Sequence, residues 1–265
     1  MIGLLPIRVG ATLIAALPVF GCGCGDDRIE RGSSMTIWEA VERENLDAIR
    51  AYVRNGGDLD VGARWLGKTP LLHALVLQKK ESYRTLLELG ADPNTICRGG
   101  GEIMLPNSSV VHHAALEEDP FWLRAALESG GDPNQMNGAK GQQKGRPLWF
   151  AIMNHRLENT VVLFEHGADI DAPIDYLGRT ALYRAAAGAK FDIVHYLLEQ
   201  GADVSEPRPV HERNTFIHTF RQKKPEYYTV PRDREWCQAV WDWLRENGRD
   251  PEQARWNSTR WVWED

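Results

Sequence analysis

Gly62 to Thr69 read Gly-Ala-Arg-Trp-Leu-Gly-Lys-Thr, the G-x-x-x-x-G-K-T spacing with which a loop cradles nucleotide phosphates. That chemistry needs a buried strand before the loop, so that backbone amides converge on phosphate above a helix N-terminus. Asn55-Gly56-Gly57-Asp58-Leu59-Asp60 reads instead as a helix stop and a turn, and Pro70 follows at once. Tyr176-Leu177-Gly178-Arg179-Thr180 repeats the second half without the lysine, so the motif is a by-product of an internal repeat and no nucleotide is expected. His112 and His113 are adjacent, diverge by about 100° on a helix and cannot easily share a metal. His155, His166 and His195 fall at helix ends, where partial positive charge is favoured. Glu117, Glu118 and Asp119 form a solvated turn. With no H-E-x-x-H, G-x-S-x-G or C-x-x-C, the sequence nominates no catalytic residue, metal site or cofactor.

Two cysteines have a different chemistry. Arg8 precedes an apolar run from Val9 to Phe20, broken only by Gly10 and Thr12 and containing Pro18. The run is shorter than the roughly 20 residues that span a bilayer as a helix, and it has the layout of a secretory signal. Val19-Phe20-Gly21-Cys22 resembles a bacterial lipobox, which makes Cys22 the lipidated first residue of the mature chain; Phe20 departs from the small residue usual there. Cys24 is a weaker alternative, and a plain secretory signal or a weak membrane anchor is the other reading. Residues 1–21 are thus expected to be a lipoprotein-type signal peptide and 22–34 a polar, glycine-containing tether. Gly23 after the cysteine is what that resemblance associates with the outer membrane. Only Cys97 and Cys237 remain, too few for a disulfide framework, and both are expected to be free thiols.

The elements that position everything else recur. Gly57-Asp58-Leu59-Asp60, Gly90-Ala91-Asp92-Pro93-Asn94, Gly131-Asp132-Pro133-Asn134, Gly167-Ala168-Asp169-Ile170-Asp171 and Gly201-Ala202-Asp203-Val204-Ser205 each close a predicted helix. Upstream lie amphipathic stretches in one register, Arg84–Leu89, Val161–His166 and Ile193–Leu198. Before those come helix starts: Thr69-Pro70-Leu71-Leu72-His73-Ala74, Ser109-Val110-Val111-His112-His113-Ala114 and Thr180-Ala181-Leu182-Tyr183.

A period near 33 with a glycine-centred turn resembles the ankyrin-repeat family from about residue 35 to 205. The resemblance implies an all-α solenoid of five to six helix-turn-helix repeats. It makes His112 a structural histidine, and it puts Trp38 where the family usually has His. Residues 206–265 read as a degenerate repeat, with an insertion around Pro225 to Pro231, followed by a cap rich in Trp. Trp256, Trp261 and Trp263 could cap the array, bind a partner or lie at a membrane interface; capping is preferred.

Net charge is −6, which lacks the basic footprint of a nucleic-acid binder. A sheetless repeat array offers an extended surface rather than a convergent pocket, which argues against an enzyme. The resemblance implies protein binding through turn tips and first helices. Two tips are elaborated. The connection 93–109 carries Ile103, Met104 and Leu105 after three glycines, apolar residues that either tuck back or meet a partner. The connection 137–146 is long and basic, with Lys140, Lys144 and Arg146. Trp65 and Tyr176 occupy equivalent tip positions, as binding anchors or as packing on their own helices.

Export signal and binding module together lead to a non-catalytic binder, lipid-anchored to the outer or inner membrane and facing the periplasm. The sharper expectation is an immunity protein that neutralises a cognate secreted toxin, such as a lipase or wall hydrolase. The alternative is a scaffold or accessory protein supporting an envelope enzyme such as a stress catalase.

Overall fold

The computed structural model describes residues 28–29, 35–62, 67–98, 105, 107–138, 145–205, 215–256 and 260–263. Two compact units divide the chain, one of Met1–Asp132 with Asn137–Ala139, the other of Pro133–Met136 with Lys140–Asp265. The first holds three helix pairs: α1 (Ile37–Glu42) with α2 (Leu46–Arg54), α3 (Pro70–Val76) with α4 (Lys80–Glu88), and α5 (Val110–Ala114) with α6 (Phe121–Glu128). The second holds α7 (Pro147–Met153) with α8 (Leu157–Glu165), α9 (Ala181–Ala187) with α10 (Phe191–Glu199), and α11 (Phe216–Phe220) with α12 (Pro231–Glu246). A 3-10 turn at Pro225–Tyr227 fills part of the last connection, and β1 (Arg255–Trp256) pairs antiparallel with β2 (Trp261–Val262).

Caps and turns explain where each helix begins and ends. Thr36, Thr69, Thr180 and Thr215 hold extended backbone, and each hydroxyl accepts the N–H three residues on, from Glu39, Leu72, Tyr183 and His218. At that third position Glu39 and His112 reach back and accept the N–H of Thr36 and Ser109, at 3.1 and 3.2 Å. His112 is therefore the structural histidine expected. Its counterpart in the first repeat is Glu39 rather than Trp38, because the cap at Thr36 shifts the register by one. His195 lies in mid-α10, not at a helix end, since that helix starts at Phe191.

Every second helix closes on a glycine with positive φ: Gly56, Gly90, Gly130, Gly167, Gly201 and Gly248. The next residue's N–H then bonds five residues back, as in Ala91 to Leu86 O (3.0 Å) and Arg249 to Leu244 O (2.7 Å). The Gly248 copy identifies α11–α12 as a sixth, stretched helix pair. The first helices instead turn on Glu44, Gln78, His155 and Ala189, all left-handed with φ from +50° to +57°. A Cβ there costs about 1 kcal/mol. Ala189→Gly is therefore expected to stabilise the chain by about 0.5 kcal/mol, the remainder being offset by added freedom in the unfolded chain. Urea denaturation of the two proteins measures it.

Each unit has its own core. In the first, Ile37, Ile49, Leu71, Leu72, Leu86, Val111, Trp122 and Leu123 are fully buried. The Tyr83 hydroxyl donates to Trp122 O at 3.0 Å, and Trp122 stands edge-on to the Tyr83 ring; burial drives that phenol's pKa up. In the second, Phe191 packs edge-on against Phe220, which leans on Trp241. The C-terminal tryptophans finish that core. Trp261 is 2% exposed and its indole N–H donates to Thr215 Oγ1 at 2.7 Å. Arg221 lies over the Trp261 ring and donates to the carbonyls of Pro251 and Ala254. Trp263 Nε1 donates to Asp250 O. Cys97 and Cys237 are free and buried, and burial raises both thiol pKa values, that of Cys237 to about 12.

Candidate functional site

The turn tips are tied to one another by their own side chains. Asp58, Asp92, Asp169, Asp203 and Asp250 each accept the N–H two residues on, folding the tip into the same local turn. The residue two positions after the aspartate then reaches the next tip. Asn94 donates to Gly130 O and accepts Asp132 N–H in the first unit. Asn134 does the same with Gly167 and Asp169 in the second, and Asp171 accepts Asp203 N–H. Burial, the larger cause, raises the pKa of the Asp171 carboxyl, against the hydrogen bond from Asp203 that lowers it. Asp60, which accepts the Thr95 hydroxyl at 2.9 Å, is also raised by burial.

One tip of the second unit stands out for what it exposes. Tyr176 and Leu177 are 50% and 45% exposed. They sit on a turn closed by Ile174 N–H to Arg179 O (2.9 Å) and Gly178 N–H to Asp175 O (3.1 Å). Asp175 holds this turn from inside, with its side chain fully buried. Oδ1 accepts the N–H groups of Leu177 and Arg179, and Oδ2 accepts Arg179 Nε at 2.7 Å. Arg146 N–H donates to Ile174 O, tying the end of the long basic connection to the same tip. Behind the tip, Arg184 of α9 lies beside Asp175, over the Trp149 ring of α7 and against Met153, which is 38% exposed. Burial lowers the Arg184 pKa, and the neighbouring Arg179 lowers it further.

Of the residues nominated from sequence, Tyr176 and Arg146 therefore meet at one tip. Arg146 is half-buried and donates to Asn134 Oδ1 at 3.0 Å. Leu105 is half-buried in the first unit, where its carbonyl accepts the Ser108 hydroxyl and Ser108 accepts His113 Nε2. The base of that long connection is pinned by paired backbone bonds between Cys97 and Ser108. Cys22, Trp65, Ile103, Met104, Lys140 and Lys144 lie outside the described residues. Asp175, Trp149, Met153 and Arg184 were not nominated. The one signal that could have found them was Arg184 within the otherwise small Ala185-Ala186-Ala187 segment of the fifth repeat.

The phosphate-loop letters are occupied by the repeat itself. Thr69 caps α3, and Lys68 Nζ donates to His73 Nδ1 at 2.8 Å while lying over the Trp38 ring. That bond leaves His73 Nε2 to donate to Glu42 Oε1 at 3.1 Å. Glu42 alone would favour an imidazolium. Burial and the Lys68 charge outweigh it and push the His73 pKa down to about 3. His113, buried against His112, is also lowered to about 3. Among the described residues, no His, Cys, Asp and Glu groups are placed to hold a metal, and no helix is long and apolar enough to cross a membrane.

Known proteins repeat this pattern. The family described as ankyrin repeats (many copies) matches residues 148–198. Protein PhlB of Serratia liquefaciens is 32% identical over 154 residues, 58% of this chain and 62% of that protein. The B-cell lymphoma 3 protein homolog of Mus musculus is 26% identical over 182 residues, 67% of this chain and 39% of that protein. The chain thus spans less than two thirds of these relatives' length. The crystal structure of the human ASB11 ankyrin repeat domain superposes with a TM-score of 0.55 at 20% identity, covering 78% of this chain and 82% of that one. The fold is an ankyrin-repeat fold, largely helical with little sheet, and ankyrin repeats are generally non-catalytic protein-interaction modules.

Proposed function

We propose that this ankyrin-repeat chain is a non-catalytic binding protein of the bacterial envelope, an immunity protein that neutralises a toxin delivered to the periplasm. The observation that carries the binding role is the Tyr176–Leu177 pair, held out on a turn that the buried Asp175 carboxylate fixes. Large apolar groups presented on a preorganised tip lose little entropy on docking, so they suit the centre of an interface. The envelope reading rests on the Val19-Phe20-Gly21-Cys22 sequence, with lipidation at Cys22 placing the chain on the outer or inner membrane. A membrane tether would raise the inhibitor's local concentration where a toxin arrives. A bacterial relative, Protein PhlB, is consistent with that setting.

Co-expression tests the reading. The full chain is produced with each product of its neighbouring genes, exported to the periplasm, and cell survival and the product's activity are measured. A product whose toxicity disappears is expected. Tyr176→Ala with Leu177→Ala should weaken protection at least about ten-fold, since each is a potential anchor of 1–2 kcal/mol. Cys22→Ser should shift the protein out of the membrane fraction. A partner whose activity persists or rises on binding overturns inhibition and leaves the accessory role.

A further inference from the structure

Two guanidinium groups of the second unit share one carboxylate that is already spent. Asp175 uses Oδ1 on the N–H groups of Leu177 and Arg179, and Oδ2 on Arg179 Nε at 2.7 Å. Arg184 Nε stays 3.5 Å from Oδ2 and makes no hydrogen bond. Arg184 Nη2 is left with the Met153 thioether at 3.1 Å, a weak acceptor where a strong one belongs. Trp149 Nε1, on the ring beneath that guanidinium, is likewise buried without an acceptor, as is Arg146 Nε at the foot of the same helix. The surroundings thus hold surplus donors and surplus positive charge in a chain whose net charge is −6. Tyr176 on the neighbouring tip and Met153 beside the guanidinium are 50% and 38% exposed, so an aromatic and an apolar group flank the cluster.

We infer that this donor cluster, formed by α7, α9 and the 174–179 tip, receives a carboxylate side chain of the protein partner. The inference rests on the reading that the chain binds a protein. A Glu or Asp would displace the Met153 thioether, pair with Arg184 through charge-assisted bonds and offer an acceptor to the Trp149 indole, while Tyr176 covers the contact. A phosphate fits less well, because Arg179 is committed to Asp175 and Arg146 is drawn to Asn134, which leaves Arg184 to meet two charges.

The test uses the full chain on beads and three randomised heptapeptide pools, fixed at a central Glu, a central Gln and a central phosphoserine. Retention of the Glu pool is expected to exceed that of the Gln pool by roughly ten-fold, the size of one charge-assisted hydrogen bond. Arg184→Met should bring the ratio close to one. Met153→Glu should do the same with Arg184 intact, because the new carboxylate pairs with Arg184 from within the chain; it keeps the question open to refutation if Arg184→Met fails to fold. A wild-type ratio near one, a ratio unchanged in both variants, or stronger retention of a phosphoserine pool overturns the inference. Acid preference without any toxin neutralised sinks the immunity reading alone. Neutralisation that survives both variants sinks the carboxylate contact alone.

Discussion

Asp175→Ala is expected to lower the chain's unfolding free energy by about 3–5 kcal/mol, the range for leaving charges buried and unpaired. The side chains of Arg179 and Arg184 are only 18% and 15% exposed, so water screens them little once the carboxylate is gone. The same change removes the acceptor for Leu177 and Arg179 N–H, which frees the tip. Two readouts separate these effects. Urea denaturation followed by circular dichroism gives the stability, and limited trypsin digestion at Arg179 reports on the tip. Adding Arg184→Met to Asp175→Ala should recover part of the loss, because one of the stranded charges is then removed. A loss under about 1 kcal/mol in the single variant would mean that the guanidiniums find solvent, and that the tip is not held from inside.

Acid should weaken the first unit through two histidines. The folded pKa values of His73 and His113 lie near 3, below the ordinary 6.5 of an unfolded histidine. Between these limits the unfolded chain binds protons that the folded chain refuses, so stability rises with pH in that window. The contribution is complete above about pH 6.5 and is lost progressively as pH falls towards 3. Each histidine accounts for about 2 kcal/mol between pH 6.5 and 5, at 1.36 kcal/mol per pH unit. For His73 the cause is burial, with the Lys68 ammonium already occupying Nδ1. For His113 it is burial, with His112 alongside. Denaturation midpoints from pH 7.5 to 5 should fall steeply in the wild type and more gently in His113→Gln. Parallel pH profiles for the two proteins would show that His113 protonates in place.

The repeat boundaries were readable because glycine is used for a conformation rather than for a partner. Gly90, Gly167 and Gly201 each mark a left-handed turn, a requirement visible in the letters alone. Helix starts at Thr69 and Thr180 were equally legible, since a hydroxyl cap acts on a neighbour three residues away. Register within a degenerate repeat was harder. Trp38 is the conspicuous residue of that repeat, whereas the cap geometry gives the role to Glu39. The Arg184 cluster was illegible for a different reason. Asp175 looks like any solvated tip carboxylate, and only packing shows it buried and already engaged. Arg184 in turn meets Met153, 31 positions away, and Trp149 of the same helix, brought together by stacking that no local pattern encodes.

The side-chain ladder along the tips separates what keeps the repeats aligned from what makes them different. Asn94 and Asp132 are 38 positions apart, Asn134 and Asp169 are 35 apart, and Asp171 and Asp203 are 32 apart, as their hydrogen bonds record. The same rung therefore forms across intervals that differ by six residues. Alignment is enforced after each loop has been traversed, so the loops carry no obligation to keep a fixed size. Such a chain can change the length and content of its connections while the scaffold is left untouched. For the engineer, the segments between a first-helix cap and the preceding rung are the places where foreign sequence can be inserted at least cost.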